Sequence, residues 1–259
     1  MITSGYEDVG AGDAVVLVHG HPFNRSMWRP QLDRFGRAGF RVIAPDLRGY
    51  GEAAVLPGKT TLAEFAADIA GLLDRLGVDR AVLCGLSMGG QIVMDFYRQF
   101  PSRVRALVLA DTFAGLDTPE RRQLRLDTAD RLERDGMAEY AAEELPKMVS
   151  PLTIATRPAV ADHVLEMMRG TPPAGAAAAL RGRAERPDYT PVLAAADVPA
   201  LILVGRDDGY TPIPDAEAMH RLLTGSTLVV IDDAGHLPNL ERPAAFDAAL
   251  DTFLSSLSP

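Results

Sequence analysis

The chain has 259 residues, of which 47% are hydrophobic and 24% charged, and its net charge is −9. This length and composition suit one globular domain, with or without an insertion. The acidic balance argues against a nucleic-acid-binding surface, which needs a concentrated basic face.

Cysteine usage and the N-terminal segment indicate the cellular compartment of the protein. Cys84 is the only cysteine, and its apolar neighbours favour a buried small hydrophobe over a reactive thiol. An internal disulfide is therefore excluded, which suits a reducing compartment. Residues 1–8 have no basic start and no apolar stretch of signal-peptide length, and no apolar run reaches the ~20 residues of a membrane span. We expect a cytoplasmic protein without a membrane partner.

Short apolar runs rich in β-branched residues recur along the chain without polar alternation, which is typical of parallel strands covered on both faces. The clearest helix between them covers 62–76, where apolar residues recur every three or four positions. Thr61 and Glu64 resemble a capping box at its start, and Gly77 follows its end. The predicted fold class is α/β, with a doubly wound, mostly parallel sheet. The predicted strands are 15–18, 41–44, 81–84, 106–110, 200–204 and 228–231.

The alternation of strands and helices breaks between about residues 116 and 191. Helical patterns punctuated by prolines fill this stretch, and a strand pattern follows it. We interpret the block as a helical cap inserted between two strands, lying over the strand ends where ligands bind in open α/β sheets. The α/β core then comprises residues 1–114 and 192–259, and the cap residues 115–191. The predicted cap helices are 118–136, 137–149, 157–169 and 174–186.

A G-x-S-x-G motif at residues 85–90 lies between a predicted strand and a predicted helix. In this context the serine occupies a sharp turn, and only glycine-sized neighbours fit at Gly85 and Gly89. The turn presents the Ser87 hydroxyl at the sheet edge and at a helix N-terminus, where the dipole favours developing negative charge. Ser87 is therefore the candidate nucleophile, and a purely structural turn is the alternative if no base and acid follow.

A base and an acid follow in the order Ser…Asp…His, which is typical of α/β-hydrolases. His236 comes just after the last predicted strand, and it can take the proton of the serine and return it to the leaving group. Asp207 and Asp208 follow the strand before it, and spacing alone does not separate them. Asp111, which also ends a strand, is a third candidate, although anchoring the start of the cap suits it better.

The loop at residues 19–22 follows the first strong strand and supplies a candidate oxyanion hole. A serine hydrolase of this design needs two backbone N–H donors, which we assign to His21 and Met88. Gly20 lets the backbone come close to the reacting carbonyl. A metal site at His19 and His21 is not predicted, because side chains two positions apart point in different directions and no further ligands join them.

These motifs resemble those of α/β-hydrolase-fold serine hydrolases of the esterase, lactonase and cofactor-free haloperoxidase kind. Segments 21–28 and 186–191 are most similar to 3-oxoadipate enol-lactonase-like hydrolases. The resemblance implies Asp208 as the acid, a cis peptide before Pro22 and no cofactor. One departure is Glu52, where relatives usually carry a small hydroxyl residue, so the neighbouring loop is expected to differ. The matching motifs are residues 19–22, 46–51, 85–90, 205–208 with Pro212, and 235–243.

The expected function is hydrolysis of a carboxylic ester or lactone of a small, largely apolar molecule through an acyl-enzyme on Ser87. The same triad can also serve perhydrolysis, acyl transfer or carbon–carbon cleavage. A non-catalytic ligand-binding protein of this fold is the third hypothesis. The sequence does not distinguish a monomer from a homo-oligomer.

Residues adjacent to the motifs are candidates for the substrate pocket, with plain core packing as the alternative for each. A dicarboxylate substrate requires in addition a cap arginine that faces inward, and Arg122, Arg125 and Arg134 are the candidates. The predicted pocket residues are Phe23, Trp28, Met88, Phe113, Tyr210 and Leu237.

Overall fold

The computed structural model describes residues 5–257 of the chain. The first four residues, which belong to the segment where no signal peptide is expected, lie outside the described part. Within the described part, no helix combines the length and the apolar character needed to cross a bilayer.

One seven-stranded sheet forms the centre of the fold. From one edge to the other, its strands are β1 (Tyr6–Gly10), β3 (Phe40–Pro45), β2 (Asp13–Val18), β4 (Ala81–Leu86), β5 (Val104–Ala110), β6 (Ala200–Gly205) and β7 (Thr227–Ile231). β1 runs antiparallel to β3, and the other neighbouring strands run parallel. The predicted α/β class and mostly parallel sheet are confirmed.

Helices flank the sheet and fill the segment between β5 and β6. The predicted capping box is present: the Thr61 N–H donates to Glu64 Oε2 at 2.7 Å, and the Glu64 N–H donates to Thr61 Oγ1 at 3.2 Å. The α-helices of residues 5–257 are α1 (Arg29–Arg37), α2 (Leu62–Arg75), α3 (Met88–Gln99), α4 (Pro119–Asp135), α5 (Ala138–Met148), α6 (Pro151–Thr156), α7 (Pro158–Gly170), α8 (Pro173–Ala184), α9 (Thr190–Ala194), α10 (Ile213–Leu222), α11 (Pro238–Glu241) and α12 (Pro243–Ser256).

The strands lack polar alternation because both faces of the sheet are buried. In β2, Val16 and Val18 pack into the core that contains α2 and α3, whereas Val15 and Leu17 pack into the opposite core with α1 and α12. Successive side chains of a strand point to opposite faces, so every position must be apolar when helices cover both. Cys84 is fully buried in the second core, as its sequence context predicts.

β1 is the strand that the sequence pattern does not predict. It lies at the sheet edge, paired only with β3, and its residues are exposed and half-buried in turn. Glu7 and Asp8 bind Arg29 and Arg41 at 3.0 and 2.7 Å. A charged edge strand has no continuous apolar run to reveal it, and such charges protect an edge against unwanted pairing.

Six α-helices, α4 to α9, lie between β5 and β6, and we refer to α4 to α8 as the cap. The four predicted cap helices correspond to α4, α5, α7 and α8. The short helices α6 and α9 are additional, and each has a proline in its first turn. A proline there fits a helix start, but in the sequence it reads equally well as a break.

Helix α8 contacts the core directly through its backbone. The Thr60 N–H donates to the Ala178 carbonyl at 3.0 Å. A Cβ atom on Gly175 would lie 2.0 Å from the Gly49 carbonyl oxygen, and one on Gly182 would lie 1.7 Å from the Thr60 carbonyl oxygen. The glycines therefore allow direct backbone contact, which fixes the position of α8 over the sheet edge.

Candidate active site

Ser87 lies at the turn between β4 and α3, with φ 57° and ψ −117°. A Cβ on Gly85 would lie 2.3 Å from the Gly89 carbonyl oxygen, and one on Gly89 would lie 2.2 Å from the Val18 carbonyl oxygen. A non-glycine residue in this left-handed conformation is strained, and such strain recurs at functional sites. The strand, the sharp turn and the helix form the nucleophile elbow that the motif predicts.

A cavity of about 380 Å³ opens above the carboxyl edge of the sheet, within the size range of small-molecule sites. Its cap side is formed by residues of α4, α5 and α8. Its sheet side is formed by loop residues that follow the strands: His21, Ser87, Phe113, Tyr210, Thr211 and His236.

His236 is paired with Asp208 at 2.8 Å between Nδ1 and Oδ2, and both side chains are buried. The backbone N–H groups of Tyr210 and Thr211 donate to the other carboxylate oxygen, at 2.8 and 3.2 Å. Burial opposes ionisation of Asp208, but His236 and the Thr211 donors outweigh it and lower the pKa of the carboxyl. An ionised Asp208 keeps the imidazole proton on Nδ1 and leaves Nε2 free to accept one. The neighbouring Asp207 is exposed.

Ser87 and His236 line the same cavity. The Ser87 hydroxyl has no hydrogen-bond partner within residues 5–257. Hydrogen bonds between a nucleophile and its base are often long or misaligned in ligand-free enzymes and shorten when substrate binds. The structure therefore brings the two residues to one cavity without a preformed bond between them.

The backbone N–H groups of His21 and Met88 have no acceptor in the described part of the chain. Met88 is the first residue of α3, where helical N–H groups lack intrahelical acceptors. The other loop passes close to the nucleophile, because a Cβ on Gly20 would lie 3.2 Å from the Ser87 Cβ. The bond between His21 and Pro22 is cis, as the family resemblance implies.

The two histidine side chains of this loop are held inside the protein. The Leu47 N–H donates to His19 Nε2 at 3.0 Å, and His19 Nδ1 donates to the Gly20 carbonyl at 2.9 Å. His21 Nδ1 lies 2.8 Å from the Tyr50 hydroxyl. Burial lowers the pKa of His21 well below its ordinary value, and nearby arginine charges lower it further, so its ring is neutral. With both His19 nitrogens engaged, the loop is not arranged as a metal site.

Asp111 lies next to the His236–Asp208 pair, and one side-chain ligand atom from each of the three residues lies within 4.8 Å of the others. Its Oδ1 accepts the Gly205 N–H at 2.8 Å, and its backbone has φ 44°. Burial raises the pKa of Asp111 well above its ordinary value, and the charge of Asp208 raises it further. Asp111 therefore joins β5 to β6 through the Gly205 N–H, in contrast to the cap-anchoring position expected from the sequence.

The predicted pocket residues fall into two groups. Phe113 and Tyr210 line the cavity. The others do not line it and are fully buried in the two cores, where their side chains pack against apolar neighbours: Phe23, Trp28, Met88 and Leu237. Residues next to a motif share its depth in the fold, and depth alone does not distinguish a cavity wall from the core.

The cap arginines also separate. Arg125 lines the cavity, whereas Arg122 and Arg134 are exposed and lie outside it. The sequence analysis missed Arg183 of α8, which is buried and lines the cavity. Its signal in the sequence is a pair of arginines, Arg181 and Arg183, in a helix otherwise made of alanine, glycine, proline and leucine.

Glu241 is a second residue that sequence reasoning missed as part of the site's support. Its carboxylate accepts the Ser150 N–H at 2.7 Å, the Thr153 hydroxyl at 2.8 Å and the Gly235 N–H at 2.9 Å. Ser150 and Thr153 belong to the cap, while Gly235 precedes His236. Glu241 therefore joins the cap to the loop that carries the imidazole.

Comparison with known proteins places this geometry in a family. Residues 13–243 match the family model described as the alpha/beta hydrolase fold. The 3-oxoadipate enol-lactonase 1 of Acinetobacter baylyi is 29% identical over 244 residues, covering 94% of this chain and 89% of that enzyme. A thermophilic esterase from Thermogutta terrifontis, solved with malate bound, is 42% identical with a TM-score of 0.96, covering 98% of this chain and 94% of that one.

The enol-lactonase from Burkholderia xenovorans LB400 is 27% identical with a TM-score of 0.90, covering 97% of this chain and 96% of that one. The resemblance to esterases and lactonases is thereby confirmed. The chain belongs to the α/β-hydrolase-fold family.

Proposed function

We propose that this protein hydrolyses a carboxylic ester or lactone through an acyl-enzyme on Ser87, with His236 as base and Asp208 as its partner. The observation that carries the proposal is the 2.8 Å His236–Asp208 pair, which opens onto the cavity where Ser87 lies in its left-handed turn. Esterases and lactonases among the relatives support this bond type.

In the first half-reaction, His236 Nε2 takes the hydroxyl proton while Ser87 Oγ attacks the carbonyl carbon. The carbonyl oxygen gains negative charge and accepts hydrogen bonds from the His21 and Met88 N–H groups, each worth about 3 kcal/mol in the transition state. The intermediate collapses, the C–O bond to the alcohol breaks, and the alcohol takes the proton from His236. With a lactone, this alcohol stays attached to the acyl chain.

In the second half-reaction, water attacks the acyl ester on Ser87 and gives its proton to His236. The new intermediate collapses, Ser87 Oγ leaves and recovers that proton, and the carboxylic acid departs. Asp208 stays ionised throughout and stabilises the imidazolium. No cofactor takes part in these steps.

The proposal is tested with a fluorophosphonate probe and a small ester such as ethyl pentanoate. The wild type is expected to be labelled and to release pentanoate, and Ser87→Ala to lose both. Ser102→Ala is the matched control, since Ser102 is exposed at the far end of α3 and should behave as wild type. Equal labelling or turnover in Ser87→Ala contradicts the proposal.

The acyl acceptor is tested by product analysis with water, hydrogen peroxide and methanol in competition. Free acid is expected as the main product. Predominant peracid identifies a perhydrolase and predominant methyl ester an acyltransferase, and either result contradicts hydrolysis as the principal activity. The chemistry at Ser87 is common to all three outcomes.

A further inference from the structure

Arg183 is a buried cation without an ionic partner. Arg183 is only 8% exposed, and its Nε donates to Gln91 Oε1 at 2.7 Å. Within residues 5–257, no carboxylate forms an ion pair with it, and its two terminal nitrogens have no acceptor. These nitrogens remain available at the cavity that Arg183 lines.

Three other cavity-lining cations differ from Arg183 because each has a carboxylate of the protein as a close partner. These pairs are Arg125 with Asp117 at 2.8 Å, Arg131 with Glu143 at 2.7 Å, and Lys147 with Glu144 at 2.5 Å. The remaining cavity-lining arginine, Arg121, is exposed to solvent, stacks over the Phe113 ring and lies 4.0 Å from Asp117. The buried guanidinium of Arg183, which has no carboxylate partner, is therefore available to bind an anion that enters the cavity.

The surroundings of Arg183 carry surplus positive charge. Asp117 is the nearby carboxylate, and it already serves Arg125 and, at 3.6 Å, the buried Arg186. Burial lowers the pKa of Arg183, and the charges of Arg125 and Arg186 lower it further, yet a guanidinium stays charged in proteins. A buried charge without a counter-ion is costly, so a bound anion would relieve an unfavourable arrangement.

Arg183 is held at a fixed position relative to the nucleophile. Gln91, which accepts from Arg183, lies one helical turn after Ser87 and donates its N–H to the Ser87 carbonyl at 3.2 Å. Arg183 is therefore tied to the first turn of α3, which begins directly after Ser87, and both residues line the same cavity. The close contact of Gly182 with the core fixes α8 from the other side.

We propose that Arg183 binds a carboxylate of the substrate, so that the preferred substrates are half-esters or lactones with a free carboxylate a few atoms from the bond that is cleaved. A planar guanidinium matches a carboxylate through two parallel hydrogen bonds. The proposal rests on the hydrolase function proposed for Ser87, and it deepens that function by naming the substrate class.

The kinetic test compares monoethyl glutarate with ethyl pentanoate, in which a methyl group replaces the carboxylate. We expect the wild type to prefer the anionic ester and Arg183→Met to lower the ratio of the two kcat/KM values about 100-fold or more. Arg183→Lys keeps the charge but not the planar guanidinium, and it should lower this ratio about 10-fold. Arg122→Met is the control, because it removes an exposed cap arginine outside the cavity, and its ratio should match wild type.

The binding test uses glutarate itself and needs no turnover. At constant ionic strength, glutarate should raise the Tm of the wild type and of Arg122→Met, because a ligand bound only by the folded state stabilises it. The Tm of Arg183→Met should not respond. This readout also shows whether the variant is folded.

Two results separate the two proposals. If the wild type cleaves both esters equally and Arg183→Met leaves the ratio and the glutarate response unchanged, the carboxylate site is overturned while the hydrolase stands. If Ser87→Ala cleaves ethyl pentanoate as fast as the wild type, the function proposed for Ser87 fails, whatever glutarate does to the Tm.

Discussion

At the scale of single residues, two buried carboxyl groups beside His236 have opposite ionisation preferences. Asp208 receives donors from Thr211 and His236, which favour its charged form. Asp111 has one N–H donor, and its burial and the charge of Asp208 both raise its pKa and so favour its protonated form. Paired carboxyl groups with pKa values pushed apart are a common device for dividing roles in an active site.

Asp111→Asn tests this division. The pKa of Asp111 is higher in the folded than in the unfolded state, so its contribution to stability is complete below its ordinary value of 3.8 and is lost as pH rises through the folded value. Asparagine mimics the protonated acid and accepts the left-handed backbone at φ 44°. The free energy of unfolding of Asp111→Asn, relative to that of the wild type, should therefore increase with pH. Urea denaturation from pH 4 to pH 8 measures this difference.

Asp233→Asn is the control for that series, because Asp233 shares the left-handed backbone at φ 57° but is exposed. Its difference from wild type should not change with pH. An Asp111→Asn difference that is flat or shrinks as pH rises contradicts a protonated Asp111.

At the scale of elements, Glu241 couples the cap to the loop that carries His236. Its two oxygens accept from Ser150 and Thr153 on one side and from Gly235 on the other. The His236 N–H also donates to the Met148 carbonyl in the cap, at 3.1 Å. The cap and the base are therefore positioned by one connected set of hydrogen bonds.

Glu241→Gln is expected to destabilise the protein by about 1–3 kcal/mol, because the amide NH₂ would face N–H donors that then lack an acceptor. Amide hydrogen exchange at Ser150 and Gly235 should become faster. Glu185→Gln, which changes an exposed pair with Lys59, should shift stability by less than about 0.5 kcal/mol. Unchanged exchange at both amides in Glu241→Gln contradicts the coupling.

At the scale of the whole molecule, the site exists only where the cap meets the sheet edge, and α8 makes that contact through backbone. Gly182→Ala puts a methyl group 1.7 Å from the Thr60 carbonyl oxygen and should cost about 1–3 kcal/mol through overpacking. Gly170→Ala, a helical glycine with open space around it, should stabilise by up to about 1 kcal/mol. Denaturant unfolding measures both, and the same sign for the two variants contradicts the close contact.

The sequence predicts those parts of the fold and site that local patterns determine. Strands buried on both faces carry continuous apolar runs, whereas the charged edge strand β1 does not. Ser87 and His236 follow from motif and chain order, but Asp208 needs the family resemblance because Asp207 has the same spacing. The structure separates the two aspartates by burial.

The cavity wall is the part that the sequence does not predict. Phe23 and Trp28 are apolar and next to a motif, yet tertiary packing buries them in the core. Sequence motifs do not identify Arg183, because what distinguishes it is the lack of a carboxylate partner. That property depends on how the chain folds around the side chain.

The central claim is that His236 activates Ser87, and the rate at which an organophosphate modifies Ser87 measures this most directly. The bond is formed by Ser87 alone, so the measurement does not depend on knowing the substrate. The account predicts that His236→Ala slows modification by about 10²- to 10⁴-fold, the usual contribution of a general base. Modification of His236→Ala at the wild-type rate would contradict it.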